Sequence, residues 1–134
     1  MINIKNFRNF YSFYIKLKLI NPSNFTKISK FIKKQKIEYF KTADEICKII
    51  LYLEKKWKIK KNHSINSYNS LCIETIKEQF YLKKVGTYKS IKENKKNENL
   101  YNSLSKMKVY LLGLMLSQIF WQSHFKIIRF YKNK

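Results

Sequence analysis

The sequence predicts a small α+β protein, in which a short mixed β-sheet carries two C-terminal helices and is preceded by a β-α-β-α extension. Three observations support this fold class. Apolar residues alternate with other residues in residues 11–20, as is typical of a strand. Amphipathic stretches with helix-capping signals occur at residues 21–35 and 43–56. From Trp57 onwards, short apolar and basic runs separated by polar loops indicate further strands before a helical C-terminal part.

The first predicted strand and helix occupy residues 11–35. Alternate positions of the strand form one apolar face, made of Phe13, Ile15, Leu17 and Leu19. The helix is expected to begin with Asn21 as its N-cap and Pro22 in its first turn, because both residue types are favoured there. An apolar stripe then faces one side of the helix while the lysines face the other. The stripe consists of Phe25, Ile28, Phe31 and Ile32.

A second predicted strand, residues 36–40, leads into the helix with the clearest local signal. Thr42 and Glu45 have the spacing of a capping box, and Asp44 in the same turn suits the helix dipole. Apolar residues then recur on one face, at Ile46, Ile49, Ile50 and Leu53. This pattern predicts a helix over residues 43–56, and the extension is taken as residues 1–54.

The remainder of the chain, residues 55–134, is predicted to form the α+β domain itself. Its candidate strands are residues 57–61, 68–74 and 80–88. Residues 100–113 have the apolar spacing of a helix, and Ser117 is expected to cap a last helix that carries Ile119, Phe120 and Ile127.

Only two glycines occur in the chain, Gly86 and Gly113. A sequence so poor in glycine is expected to use it where the backbone needs a positive φ or a close approach. We predict that Gly86 breaks a strand in a tight turn. We predict that Gly113 ends a helix before the cap at Ser117.

The chain is strongly basic, with 29 Lys and Arg residues against 8 Asp and Glu residues and a formal net charge of +21. Such a charge implies an anionic partner: nucleic acid, a membrane surface or an acidic protein. The lysines are dispersed among aromatic residues along the whole chain instead of lying beside one apolar segment. Nucleic acid is therefore the expected partner.

Several short motifs between residue 57 and about residue 120 follow a familiar order. They are a basic strand with Lys58, Ile59 and Lys61; Tyr68 followed by NSLCIE; LKKVGTY with Gly86 and Tyr88; and LSKM followed by Tyr110, Gly113, Ser117 and Phe120. This order resembles the bacterial-type small-subunit ribosomal protein 16 family, and both glycines coincide with glycine positions of that family. Asn66 and Ser67 stand where the family has a Pro-Phe pair.

The resemblance implies a structural constituent of the small ribosomal subunit. Its expected partners are small-subunit rRNA and neighbouring ribosomal proteins. Lys, Asn, Ile, Phe and Tyr dominate the sequence, as AT-rich codons would supply, and this favours a mitochondrial ribosome in the matrix over a bacterial one.

The candidate RNA-binding residues follow from the charge pattern and from the resemblance. Lys58 and Lys61 match basic positions that meet rRNA backbone in the family. The others are Arg8, Lys16, Lys18, Lys60, Asn62, His63, Lys83, Lys84, Lys106 and Lys108. A solvated edge strand explains residues 57–61 as well, and a plain exposed position explains Lys83 and Lys84. Structural roles are expected for Tyr68, Gly86, Tyr88, Tyr110, Gly113 and Ser117.

The N-terminal aromatic residues have three interpretations. They alternate with basic residues, as stacking platforms for single-stranded or looped RNA do. A core strand with a basic tail explains them as well and is slightly preferred, and contact with a neighbouring protein is the third option. The residues concerned are Phe7, Phe10, Tyr11, Phe13 and Tyr14.

Residues 109–125 carry no charge, and their length is near the lower limit for a transmembrane helix. If this segment crossed a membrane, several of its polar side chains would face lipid. A buried helix–turn–helix is therefore preferred, and no membrane contact is expected. The alternative is a single-pass accessory subunit of a mitochondrial inner-membrane complex that uses this segment as its span.

No arrangement of residues indicates catalysis. His63 and His124 are isolated, and the chain has neither a phosphate-binding glycine loop nor a metal-ligand spacing. Cys47 and Cys72 are expected to be reduced and structural. We therefore expect no enzyme activity, cofactor, metal or small-molecule substrate.

Overall fold

The computed structural model describes residues 2–86 and 103–132, and all regular secondary structure in these ranges is helical. One 3₁₀ turn, Ile4–Asn6, precedes the α-helices. These are α1 (Arg8–Ile20), α2 (Pro22–Lys33), α3 (Ile37–Lys56), α4 (His63–Val85), α5 (Leu104–Phe120) and α6 (Gln122–Lys132). The α+β prediction is wrong, because the described residues contain no strand.

The first predicted strand is helix α1. Its buried residues are Phe10, Phe13, Tyr14 and Leu17, which share the i, i+3, i+4, i+7 spacing of one helix face. Ile15 and Leu19 were assigned to the same apolar strand face, but 38% and 78% of their surfaces are exposed. The helical face is the one that packs into the core.

The other predicted strands also lie within helices or in a connection. Residues 36–40 lead into and begin α3, and residues 68–74 and 80–85 belong to α4. Residues 57–61 follow the end of α3 and connect it to α4. Residues 87–88, the end of the last predicted strand, lie outside the described ranges.

Two helix predictions agree with the structure in different degrees. α2 begins as expected, since the Asn21 side chain accepts a hydrogen bond from the Asn24 N–H at 3.2 Å and Pro22 is the first helical residue. The helix over residues 43–56 is present as the C-terminal part of α3. The predicted capping box is wrong, because α3 already begins at Ile37.

The residues of that predicted capping box contact the C-terminal helix instead. The Lys132 ammonium donates a hydrogen bond to Thr42 Oγ1 at 2.9 Å and lies 3.7 Å from the Glu45 carboxylate. These contacts join the end of α6 to the middle of α3.

One hydrophobic core contains buried residues from all six helices. Phe10 lies at its centre, where its ring packs against the rings of Tyr14, Tyr39, Phe40 and Phe120 at centroid distances of 5.6 to 6.1 Å. The Tyr39 hydroxyl donates a hydrogen bond to the Ile119 carbonyl at 2.9 Å. This bond satisfies a polar group within an otherwise apolar core.

The two glycines have different roles from those predicted. Gly86 does adopt a positive φ, of 76°, but it ends helix α4 and breaks no strand. Gly113 lies in the middle of α5, so the prediction that it ends a helix is wrong. A Cβ atom at Gly113 would lie 2.9 Å from the Tyr68 backbone nitrogen, which shows that α5 crosses α4 in close contact.

Ser117 also lies inside α5 and caps no helix. Its buried hydroxyl donates to the Leu114 carbonyl at 2.5 Å and lies 3.1 Å from His124 Nδ1. The last helix, α6, begins at Gln122, so Ile119 and Phe120 belong to α5. Ser117 therefore connects α5 to α6 through His124.

The uncharged segment 109–125 is not one continuous helix. α5 ends at Phe120, Trp121 has extended backbone geometry, and α6 starts at the next residue. In residues 2–86 and 103–132, no helix is both long enough and apolar enough to cross a bilayer.

Asp44, which was expected to interact with the dipole of its own helix, instead caps helix α1. Its Oδ1 accepts hydrogen bonds from the backbone N–H groups of Asn9 and Phe10 at 3.0 and 3.1 Å. A carboxylate at this position satisfies N–H groups that have no partner within α1 and interacts favourably with the helix dipole.

Replacing Asp44 with alanine is expected to lower the free energy of unfolding by about 1 to 2 kcal/mol, because two N–H groups lose a charged acceptor. Thermal unfolding followed by circular dichroism would measure the loss. Glu78→Gln is a suitable control, because Glu78 is also an acidic residue of a helix, is exposed and forms no ion pair with the described residues. Equal stability of the Asp44→Ala variant and the unmodified protein would contradict this capping role.

Candidate nucleic-acid interface

An open groove of about 1050 Å³ lies between the α3–α4 connection, α4 and the first turns of α5. Four basic side chains contribute to its lining: Lys58, Lys60, His63 and Lys106. All four were predicted RNA-binding residues, and they come from two segments that lie far apart in the sequence. Lys58, Lys60 and His63 lie close together in the chain at the N-terminus of α4, and we call this part of the groove its basic end, while Lys106 of α5 lines the same groove.

The α3–α4 connection holds Lys58 and Lys60 at the surface. Ile59 lies between them and packs against the core, and its N–H donates to the Glu54 carbonyl at 2.8 Å. Lys58 and Asn62 have positive φ values of 53° and 71°, which turn the chain sharply at both ends of the connection. A lysine rarely adopts this conformation, which costs about 1 to 2 kcal/mol in an L-residue.

The basic end of the groove coincides with the N-terminus of α4. Asn62 is the N-cap of this helix and His63 is its first residue. The N-terminal end of a helix dipole is positive and favours bound anions such as phosphate. The helix dipole therefore makes the electrostatic potential at the N-terminus of α4 more positive, as do the nearby lysines.

Helix α5 contributes further cations to the groove and its surroundings through its first turns. Lys106 lines the groove directly, and the Lys108 ammonium lies 5.5 Å from the centroid of the Trp57 ring. Trp57 and Trp121 both line the groove and are half-buried. The attraction between the Lys108 ammonium and the face of the Trp57 ring holds this positive charge beside the groove.

The other end of the groove is acidic. Glu74 and Glu78 line it and lie on α4, at least eleven residues beyond His63. A helix rises about 1.5 Å per residue, so Glu74 is about 16 Å from His63 along α4. Phosphate groups are therefore expected to bind near His63 and to be repelled from the region of the two glutamates.

The remaining predicted RNA-binding residues do not line the groove. Lys61 is exposed in the connection, and Asn62 occupies the N-cap position of α4 without a capping hydrogen bond from its side chain. Lys83 and Lys84 lie in the exposed last turn of α4, and Arg8 begins α1. Lys16 and Lys18 lie over the rings of Phe13 and Phe25, at 5.2 and 5.9 Å from the centroids.

The predicted structural residues have varied positions. Tyr68 is fully buried in the α4–α5 contact, and burial raises the pKa of its hydroxyl, with a further contribution from Cys72. Tyr110 lines the groove. Tyr88 lies outside the described residues.

The N-terminal aromatic residues belong to the core. Phe10, Phe13 and Tyr14 are buried, so their rings are not available to stack on RNA bases. Phe7 and Tyr11 are half-buried and pack against the same core. The preferred interpretation of a core element is confirmed, although the element is a helix and not a strand.

Charge neutralisation within the protein is minimal. In the described part of the chain only one ion pair forms, between Lys132 and Glu45. The acidic residues in these ranges lie on α3 and α4 alone, whereas α1, α2, α5 and α6 carry only basic charges. Most lysines are therefore available to an external anion.

Sequence reasoning missed one set of cationic residues, which lies on α2 and its C-cap. Lys27, Lys30, Lys33 and Lys34 are all exposed on the side of α2 away from the core. Their orientation was visible in the amphipathic pattern. It was not taken as a site, because a polar face rich in lysine is ordinary for a surface helix.

Comparisons with protein-family models, curated proteins and solved structures find no match to this chain. The observed helical fold differs from the α+β fold that the resemblance to the ribosomal protein family implied. Within residues 2–86 and 103–132, no three His, Cys, Asp or Glu side chains are grouped so that they could hold a metal ion.

Proposed function

We propose that this protein is a structural RNA-binding protein of the small subunit of a mitochondrial ribosome, and that the basic end of the groove binds rRNA backbone. The main support for this proposal is that Lys58, Lys60, His63 and Lys106 all line the same groove. A phosphodiester backbone offers the repeated negative charges that such a cluster requires.

The mechanism is electrostatic. Phosphates that approach the basic end replace condensed counterions with lysine ammonium groups, and the release of these counterions favours binding. Lysine provides a point charge without the planar fork of arginine, so the contacts position the backbone without reading its sequence. Glu74 and Glu78 repel phosphates from the other end of the groove. The backbone is therefore expected to cross the groove at the N-terminus of α4.

Two features of the sequence support the ribosomal context. The order of motifs in residues 57–120 resembles the small-subunit family, although the described residues of this range, 57–86 and 103–120, contain helices and no strand. The residue usage of the whole chain is that of AT-rich codons, which supports a mitochondrial gene product. A net charge of +21 with one internal ion pair in the described part of the chain suits a protein surrounded by RNA.

Sedimentation of the tagged full-length protein tests the ribosomal context. We expect the protein to migrate with the small subunit in a density gradient of mitochondrial extract, and to remain with the small subunit when EDTA separates the two subunits. Recovery in a light soluble fraction would contradict the ribosomal proposal, and recovery only in a carbonate-resistant membrane pellet would support the inner-membrane alternative instead.

Neutralising the basic end of the groove is expected to weaken RNA binding. With about five phosphate contacts, the log–log slope of affinity against salt should be roughly −4 for the unmodified protein. The K58Q/K60Q/K106Q variant should have a slope shallower by about 3 and an affinity lower by roughly tenfold to a hundredfold. Fluorescence anisotropy with a labelled RNA of about 30 nucleotides, at salt concentrations of about 50 to 200 mM, would measure both quantities.

The matched control is K41Q/K48Q/K55Q, which removes the same charge from the exposed face of α3. Glu45 is exposed on the same helix, so this face has a weaker positive field. We expect a smaller loss of affinity and a smaller change in slope. If both triple variants lose affinity equally, binding depends on total charge and the groove is not the site.

A further inference from the structure

A second cationic surface runs along α2, and we call it the α2 ridge. It consists of Lys27, Lys30, Lys33 and Lys34, all of them exposed. Side chains three and four residues apart lie next to each other on a helix, so these ammonium groups form one row. The chain has no acidic residue before Glu38, and among the described residues no ion pair forms on the ridge, although Lys34 lines a pocket with Glu38 and Glu45.

The α2 ridge is held in a fixed orientation by the opposite face of its helix. Ile28 and Ile32 are buried in the core, and the Ser29 hydroxyl lies 3.3 Å from the hydroxyl of Tyr14. The Asn21 side chain caps the N-terminus of α2. The lysines therefore project from a rigid element, and only their own side chains need to become ordered on binding.

The α2 ridge and the groove lie on different sides of α4. The N-terminal part of α2 contacts α4 through two hydrogen bonds, from Asn21 Nδ2 to Asn69 Oδ1 at 2.9 Å and from Asn24 Nδ2 to Cys72 Sγ at 3.6 Å. The groove is lined by the opposite side of α4, which includes Leu71, Thr75 and Glu78. Successive helical residues are rotated by about 100°, so Asn69 and Leu71 point in roughly opposite directions.

The composition of the α2 ridge favours RNA over a lipid bilayer. None of the exposed large hydrophobic residues of the described chain belongs to α2, so the ridge has no side chain to insert between acyl chains. Its exposed polar neighbours, Ser23 and Thr26, already donate their hydroxyl protons to Asn21 Oδ1 and to the Pro22 carbonyl, so the lysines alone provide contacts to phosphate. Lysines without arginine suit contact with a backbone whose sequence is not read.

We infer that the α2 ridge is a second binding site for RNA backbone and that one protein molecule bridges two RNA segments. The bridging rests on the function proposed for the groove, whereas phosphate binding at the ridge stands without it. Each surface is expected to hold its own segment, because the two face apart across α4. The protein would then join RNA elements that are distant in sequence.

A two-colour assay with RNA tests the inference. Two non-complementary RNA hairpins, one with a donor dye and one with an acceptor, are mixed with the full-length protein. Bridging should give energy transfer that rises with protein concentration and falls again when excess protein occupies each hairpin separately. The ridge variant is K27Q/K30Q/K34Q, and it is compared with the groove variant K58Q/K60Q/K106Q. Each lowers the formal net charge from +21 by three, to +18.

Both variants are expected to bind a single hairpin several-fold more weakly and to lose most of the energy transfer. The substituted side chains are exposed, and circular dichroism would confirm that both variants are folded. Energy transfer by the ridge variant equal to that of the unmodified protein would overturn the inference. Weaker hairpin binding by the ridge variant alone would retain the ridge as a site and refute the groove.

A second experiment, with vesicles that contain phosphatidylserine, tests whether the α2 ridge binds an anionic lipid surface instead of RNA. The unmodified protein and the ridge variant are tested for co-sedimentation with these vesicles at physiological salt. If the ridge variant loses vesicle binding but binds RNA as tightly as the unmodified protein, the ridge is a lipid-binding surface and the inference is wrong. Unchanged vesicle binding together with weaker RNA binding supports it.

Discussion

Replacing Gly113 with valine is expected to lower the free energy of unfolding by about 3 kcal/mol, because α5 crosses α4 at this residue. A Cβ atom would lie 2.9 Å from the Tyr68 backbone nitrogen, and it would also meet the Ser67 side chain. The Ser67 side chain can rotate, but the Tyr68 backbone belongs to a regular helix and cannot move alone. The two helices must therefore separate, and the buried contacts around Tyr68 are weakened.

Chemical denaturation of a short series of variants would test this crossing. Gly113→Ala should lose less stability than Gly113→Val, because alanine favours the helical state by about 1 kcal/mol and offsets part of the clash. Gly86→Ala is the control. It introduces a side chain at a positive φ, which costs about 1 kcal/mol, but no atom of the described residues lies within 4 Å of the added Cβ. A Gly113→Val protein as stable as the unmodified one would show that the helices do not cross so closely.

The glycines show how far the sequence alone can lead. Their rarity predicts a positive φ or a close approach at each, and Gly86 has the first while Gly113, which was predicted to end a helix, has the second. Their structural context was wrong, since a positive φ ends a helix as readily as it turns a strand. The close approach at Gly113 involves Ser67 and Tyr68, which lie more than forty residues earlier in the chain. No local pattern identifies such a partner.

The fold class was mispredicted for a related reason. In residues 10–19, apolar side chains occur both at alternate positions and at helical spacing, so periodicity supports either structure. The high content of Ile, Phe and Tyr increases the apparent strand propensity. The choice is made by tertiary packing, in which Phe10 and Tyr14 join a ring cluster with residues of α3 and α5. That cluster cannot be read from the local sequence.

The candidate site was predictable in composition but not in arrangement. Lys58, Lys60 and His63 stand out as a local cluster of basic residues, whereas Lys106 joins them only through the packing of α5 on α4. The α2 ridge was visible as the polar face of an amphipathic helix. That its lysines form no ion pair among the described residues becomes apparent only in the structure, where Lys34 lines a pocket with Glu38 and Glu45.

Three buried groups in the core predict that the protein loses stability at alkaline pH. Burial raises the pKa of the Cys47 thiol well above its ordinary value, and the carboxylates of Asp44 and Glu54 add to the shift. Burial likewise raises the pKa of Tyr39, with Cys47 as a further cause, and that of Tyr68, with Cys72 as a further cause. All three groups therefore hold their protons in the folded state beyond the pH at which they ordinarily release them.

The direction of the pH effect follows from proton binding in the two states. Below about pH 9, both states hold these protons and the stability is unaffected. Above about pH 9 for the thiol and about pH 10 for the tyrosines, the unfolded chain releases protons that the folded protein retains. Each group then lowers stability by at most about 1.4 kcal/mol per pH unit, for as long as the folded protein retains the proton.

Denaturation at a series of pH values would measure this loss, with Cys47→Ala and Tyr68→Phe as comparison variants. Lysine deprotonation in the same range relieves charge repulsion and acts in the opposite direction, but it is common to all three proteins. The difference in unfolding free energy between the unmodified protein and Cys47→Ala therefore reports the contribution of the thiol. The variant should lose less stability above about pH 9. Tyr68→Phe should behave in the same way above about pH 10. Parallel pH profiles for all three proteins would contradict the burial of these groups.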